Sequence, residues 1–113
     1  MPREIYTGNN YVQLSTTPNQ YVDLTGVVPT GEVYLLEVTV INYNSTTSSN
    51  VYAVIRSSSN SVLAPVLPIT YFDTYSMAVF NCLLREGQKL SIAQTGTTGN
   101  VYAIITDGVR QYP

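Results

Sequence analysis

The chain has 113 residues, with five basic and seven acidic side chains, a net charge of −2, one cysteine and no histidine. Charged residues make up 11% of it, against about a quarter in an average soluble domain, while Ser, Thr, Asn and Gln together number 38. Five scattered basic residues leave no electrostatic footprint for nucleic acid, the apolar runs are too short for a membrane span, and the lack of His with a single Cys removes disulfide frameworks, nearly every zinc site and the familiar hydrolytic triads.

The length fits one domain, residues 1–113, large enough to bury a core without staples. Val 14, Ile 7, Thr 14, Tyr 10 and Phe 2 supply 47 residues of the types that suit a pleated, half-buried surface. Being 44% hydrophobic with little net charge argues against disorder. Met1-Pro2-Arg3-Glu4 opens without an apolar run, so neither a secretory signal nor a transit peptide is expected.

Turn signals recur about every ten residues, the spacing of an all-β sandwich or barrel. Residues 10–14 and 20–24 are near copies (Tyr11, Val12, Leu14 against Tyr21, Val22, Leu24) and predict two short strands around Ser15–Asn19. Pro29-Thr30-Gly31 predicts a turn, with Pro setting φ at the first central position and Gly relieving the exit. In residues 33–41 the even set Tyr34, Leu36, Val38 and Val40 is apolar, and the odd set includes Glu37 and Thr39. That period of two predicts a strand with its even face on the core. Asn42 to Asn50 reads as a long exposed loop.

Residues 50–56 (Asn50, Val51, Tyr52, Ala53) recur as 100–106 (Asn100, Val101, Tyr102, Ala103), and the Gly31 segment echoes at Gly87. Either convergence on strand chemistry or two pseudo-symmetric half-sheets accounts for this. Pro65 and Pro68 put the segment from Val62 to Ile69 at a sheet edge or a crossing between sheets. The continuous apolar run Met77 to Leu84 predicts a strand buried on both faces, followed by a hairpin at Arg85-Glu86-Gly87-Gln88. The sum is seven to nine strands and no helix: an antiparallel β-sandwich, as a single jelly roll or a related Greek-key topology.

Little in the sequence carries chemistry. The seven carboxylates Glu4, Asp23, Glu32, Glu37, Asp73, Glu86 and Asp107 each sit alone in the sequence, mostly beside turns, which speaks against a catalytic pair. No dense Asp/Asn loop suggests calcium, Asn9-Asn10 and the 42–50 loop offering only carbonyl oxygens. There is no phosphate-binding glycine loop, and no cofactor is expected. Cys82 lies among Phe80, Leu83 and Leu84 and reads as a buried hydrophobe. The acceptor triplet Asn44-Ser45-Thr46 is of a kind common by chance in such a composition. What remains is tyrosine. Tyr34, Tyr52 and Tyr102 are expected in or just under the core. Tyr6, Tyr11, Tyr43 and Tyr112 lie near the termini or polar loops and are the candidate interface residues. A surface this poor in charge suits a protein docked to copies of itself better than a free monomer.

The run Pro29, Gly31, Tyr34 and Leu36, the Ser/Thr loop, Val51–Ile55 and then Glu86-Gly87-Gln88-Lys89-Leu90 resembles small β-sandwich or jelly-roll virion structural proteins of tailed phages and of icosahedral archaeal viruses. Gln88 stands where those proteins usually carry Asp. The resemblance spans residues 27–106 and implies a non-enzymatic minor capsid, decoration or vertex/tail-associated subunit located in the virion. Such a subunit is a homo-oligomer, a trimer or pentamer, that contacts other capsid or tail proteins, with 1–20 and 107–113 as extended arms. No nucleic acid or membrane insertion is implied. The alternative is a carbohydrate-binding or adhesion module with glycans as ligand, because aromatic platforms with Asn, Asp and Gln on a β-sandwich also suit sugars.

Overall fold

β-Branched and aromatic residues at every second position draw this chain into strands, and the buried half of each alternation fixes which side faces in. The computed structural model describes residues 3–6, 10–43 and 47–111. Among them are nine strands and no helix, arranged as two antiparallel sheets. In sheet A, β1 (Arg3–Ile5) and β2 (Tyr11–Gln13) both pair with β9 (Val101–Gln111), followed by β4 (Val33–Asn42) and β7 (Met77–Arg85). Sheet B has the order β3 (Val22–Asp23), β8 (Gln88–Gln94), β5 (Ser49–Ser57) and β6 (Val62–Phe72). This is the β-sandwich that the alternation predicts.

The core lies between the sheets. Leu36, Val38 and Val40 of β4 with Phe80 and Leu84 of β7 meet Val51 and Ala53 of β5, Leu90 and Ile92 of β8, and Phe72 of β6. Leu14, Leu24 and Val28 join them from the segment that crosses between the sheets. That segment is laced down by backbone bonds: Leu14 N–H donates to the Val101 carbonyl (3.0 Å), Leu24 N–H to Leu90 (2.9 Å) and Val28 N–H to Gln88 (2.9 Å).

The internal repeat has a spatial counterpart. β5 and β9 carry its two copies and lie in opposite sheets, and β4 and β8 carry the Gly31 and Gly87 echoes. β4 pairs with β9 and β8 pairs with β5, so exchanging β4 for β8 and β9 for β5 preserves the pairing. The pattern is that of two pseudo-symmetric halves. Val51 and Ala53 are fully buried, as are their counterparts Val101 and Ala103.

Several expectations need correction. The turn at Pro29 is closed by Glu32 N–H donating to the Pro29 carbonyl (3.1 Å), so Pro29 occupies the first corner and Gly31, at φ +82°, the second central position. A positive φ there is what a type II turn demands. The 42–50 loop is shorter than expected, since Asn42 ends β4 and Ser49 begins β5, both buried. Asn42 is accommodated because its side-chain NH2 donates to the carbonyls of Thr47, Phe72 and Asp73. Residues 3–5, 11–13 and 107–111 do not extend away as arms but hydrogen-bond within sheet A. The two prolines do mark an edge: β6 borders sheet B, and its pairing with β5 shifts register three times. β7, by contrast, is not buried on both faces. It too is an edge strand, with Met77, Val79, Asn81, Leu83 and Arg85 exposed and Phe80, Cys82 and Leu84 buried.

Candidate functional site

The outer face of sheet A carries most of the surface chemistry. β2 places Tyr11 beside Ile104 and Gln13 beside Tyr102 of β9. Asn10 is fixed just before β2 by the Ile105 N–H, which donates to its carbonyl (2.6 Å). Beyond the end of β4, Tyr43 N–H donates to the Asn100 carbonyl (2.9 Å), which brings its ring edge-on to Tyr102 at 5.8 Å between centroids and 69° between planes. Asn10, Tyr11, Tyr43, Tyr102 and Ile104 thereby line an open cleft of about 270 Å³. Tyr11 and Tyr43 are 64% and 52% exposed, so their rings remain available.

A second, polar groove of about 400 Å³ lies on the far side of Gln13, lined by Gln13, Leu14, Ser15, Thr16, Gln20 and Val22. Gln13 lines this groove and is the cross-strand partner of Tyr102, which lines the cleft. Its side-chain NH2 donates to the Gly99 carbonyl (2.6 Å), and Ser15 Oγ donates to Gln20 Oε1 (2.7 Å). Among the described residues no charged one lines the cleft or the groove.

Further along the same face is a shallow depression of about 470 Å³ with Leu35, Glu37, Asn81, Leu83, Asp107 and Val109 on its walls. The β4–β9 register shifts after Glu37, leaving Thr106 as the extra residue of a bulge and setting Asp107 directly opposite Glu37. Thr106 Oγ1 donates to Glu37 Oε1 (2.8 Å). Two carboxylates that sit alone in the sequence are thus neighbours, because a bulge re-aims one strand against the other. Among the described residues no group of three or more His, Cys, Asp or Glu could hold a metal ion.

The outer face of sheet B is occupied by its own contacts. Asp23 accepts from Arg56 (2.9 Å) and Ser91 (2.7 Å) at Oδ1 and from Lys89 (2.9 Å) at Oδ2, while Lys89 also donates to Asn60 Oδ1 (2.6 Å). Partial burial pushes the Asp23 carboxyl up, but the hydrogen bonds from Lys89, Ser91 and Arg56 outweigh it and hold the group below its ordinary value. The Arg56 guanidinium stacks over the Tyr21 ring at 4.8 Å, and Tyr21 meets Tyr52 edge-on at 5.8 Å. Tyr52 donates to Asn19 Oδ1 (2.9 Å), and burial, then Tyr21, raises its phenol. This network clamps β3 and the preceding loop onto sheet B.

Of the four candidate tyrosines, Tyr11 and Tyr43 come together at the cleft. Tyr6 lies elsewhere, half-buried and edge-on to Tyr34 at 5.2 Å, with its phenol raised by burial and then by Tyr34. Tyr112 and the acceptor triplet Asn44-Ser45-Thr46 lie outside the described residues. Cys82 is buried, and burial pushes its thiol up to about 11, far from a reactive thiolate at neutral pH. Tyr102, Asn10 and Gln13 are the members of the cleft and groove that sequence reasoning missed. For Tyr102 a signal existed: it alternates with the buried Val101 and Ala103, so period two sends it to the outer face.

No family model matches the chain, and no curated protein matches it. Among solved structures the chain is similar to the CBM22-1 xylan-binding domain from Paenibacillus barcinonensis Xyn10C, at 11% identity, covering 97% of this chain and 81% of that chain, with a TM-score of 0.42.

Proposed function

We propose that the protein is a non-catalytic carbohydrate-binding β-sandwich that takes a neutral oligosaccharide along the tyrosine cleft and the adjoining polar groove. The observation that carries this reading is the cleft itself: Tyr11, Tyr43 and Tyr102 converge with no charged residue among the described lining, and a groove lined by Gln13, Ser15 and Gln20 follows on the same strand β2 and the loop after it. A tyrosine ring offers an apolar face to the C–H side of a sugar ring, and its hydroxyl meets the sugar hydroxyls. Few, well-placed polar groups around an apolar surface are what orient a small ligand. A site without ionic groups favours uncharged sugars over acidic ones. The test is a titration with neutral oligosaccharides followed by tyrosine fluorescence and NMR shifts. Saturable binding should occur and should weaken at least about tenfold in Tyr43→Ala and Tyr11→Ala, in line with the loss of a central aromatic contact. Absence of saturable binding to any neutral oligosaccharide, or undiminished binding in both variants, overturns it.

A second reading is a self-assembling structural subunit of the coat type that the sequence resemblance implies, a trimer or pentamer. It is favoured by the exposed aliphatic side chains Met77, Val79 and Leu83 on sheet A, since contiguous apolar surface marks interaction sites. Light scattering on the purified chain tests it, a closed ring of three or five copies being the expected product.

A further inference from the structure

The sandwich has four sheet edges, and three of them are blunted. One edge of sheet A is covered by two three-residue pieces, β1 and β2, and one edge of sheet B by the two-residue β3. The other edge of sheet B is β6, with Pro65, Pro68 and three register shifts. Short strands, prolines and irregularities are the usual devices that keep an edge from recruiting another strand. β7 has none of them. It runs nine residues in unbroken register with β4, carries no proline, and has no charge before Arg85.

The phase of its hydrogen bonding can be fixed. Asn42 N–H donates to the Ser76 carbonyl (2.9 Å), continuing the β4–β7 register by one pair. In an antiparallel ladder bonded and non-bonded pairs alternate, so the even residues Ala78, Phe80, Cys82 and Leu84 bond to β4. The odd residues Met77, Val79, Asn81 and Leu83 aim their N–H and C=O groups outward. Among the described residues β4 is the only strand paired with β7. The same odd residues present their side chains on the outer face, where Met77, Val79 and Leu83 are exposed.

We infer that β7 is the edge at which a second copy of this chain docks, antiparallel about a two-fold axis through Asn81, joining the two A sheets into one. The sequence of β7 is complementary to itself in that register. Asn81 meets Asn81 of the second copy, Val79 meets Leu83, and Met77 meets Arg85, so no like charges oppose each other. The carboxylate opposite the axis residue Asn81 is that of Glu37, one strand further in. Its two copies would be separated by three strand spacings, about 14 Å, beyond the Debye length at physiological salt. An edge of this size buries less than the roughly 1,200 Å² of a stable standard interface, so the dimer is a concentration-dependent one. If the carbohydrate reading holds, both tyrosine clefts face the same side of the joined sheet, and a polymeric glycan gains from binding at two sites.

The experiment is sedimentation velocity on the full chain from about 10 μM to about 1 mM, the range suited to an interface below standard size. A monomer–dimer equilibrium is expected, weakened at least tenfold in Val79→Lys and Val79→Pro. Val79→Pro removes an N–H that β4 does not use, and Val79→Lys retains the backbone if the proline variant fails to fold. Ile69→Lys on the proline-bearing edge should leave the dimer unchanged. A chain that stays monomeric, one that closes into trimers or pentamers, or a dimer indifferent to both Val79 variants overturns the inference. Oligosaccharide titration of monomeric Val79→Lys reads the cleft separately, so failure of either proposal is distinguishable from failure of the other.

Discussion

The Ser49 hydroxyl donates to Gln94 Oε1 at 2.8 Å inside the sandwich, where Gln94 has no solvent exposure. The Gln94 NH2 donates to the carbonyls of Ser15 (2.9 Å) and Thr98 (2.8 Å). One buried amide thus joins the start of β5, the end of β8 and two loops. A buried polar group is tolerated only when its bonds are made, and removing it strands its partners.

Gln94→Leu should therefore cost about 2–4 kcal/mol despite its greater hydrophobicity, since three buried or part-buried hydrogen bonds are lost at once. Urea unfolding followed by far-UV circular dichroism measures this, and a neutral or stabilising change would remove the amide from the support of these loops.

Asp23 gives the fold a pH dependence of known sign. Its folded-state value lies below the unfolded 3.8, because the bonds from Lys89, Ser91 and Arg56 outweigh desolvation. The unfolded chain consequently binds the proton more readily, and the stabilisation is complete above about pH 5 and is lost as pH falls through the folded value. Asp23→Asn should lower stability at pH 7 and flatten the decline below pH 4. Chemical denaturation at several pH values reads both, and an unchanged acid limb would sink the assignment.

The even face of β4 is core, so truncating it should be expensive. Leu36→Ala and Val38→Ala should cost about 2–4 and about 1–3 kcal/mol respectively, from lost burial and the cavity left behind. Thermal or urea unfolding checks both, a near-zero change at each being the contrary result.

The face of β4 was readable in the sequence because Tyr34, Leu36, Val38 and Val40 alternate with more polar neighbours, and period two admits one assignment. Pro65 and Pro68 made β6 an edge in the same direct way. β7 was not readable: a run such as Ala78-Val79-Phe80 lacks contrast between its faces, and periodicity cannot tell a doubly buried strand from an unpaired apolar edge. The site was half visible. Tyr11 and Tyr43 stood out beside polar segments, whereas their convergence with Tyr102 depends on the β2–β9 register. Glu37 and Asp107 are seventy positions apart, and a one-residue bulge that no local pattern announces makes them neighbours.

β9, the last of the nine described strands in chain order, is also the interior strand against which β1, β2 and β4 are laid. Sheet A cannot close until residues 101–111 are available, so β1 and β2 wait for a mate that lies far along the chain. Such long-range pairing slows folding and lengthens the exposure of unpaired strands. A chain cut short before position 101 would leave β1 and β2 with nothing to dock on, and a nascent chain of that length is where chaperone dependence should be greatest.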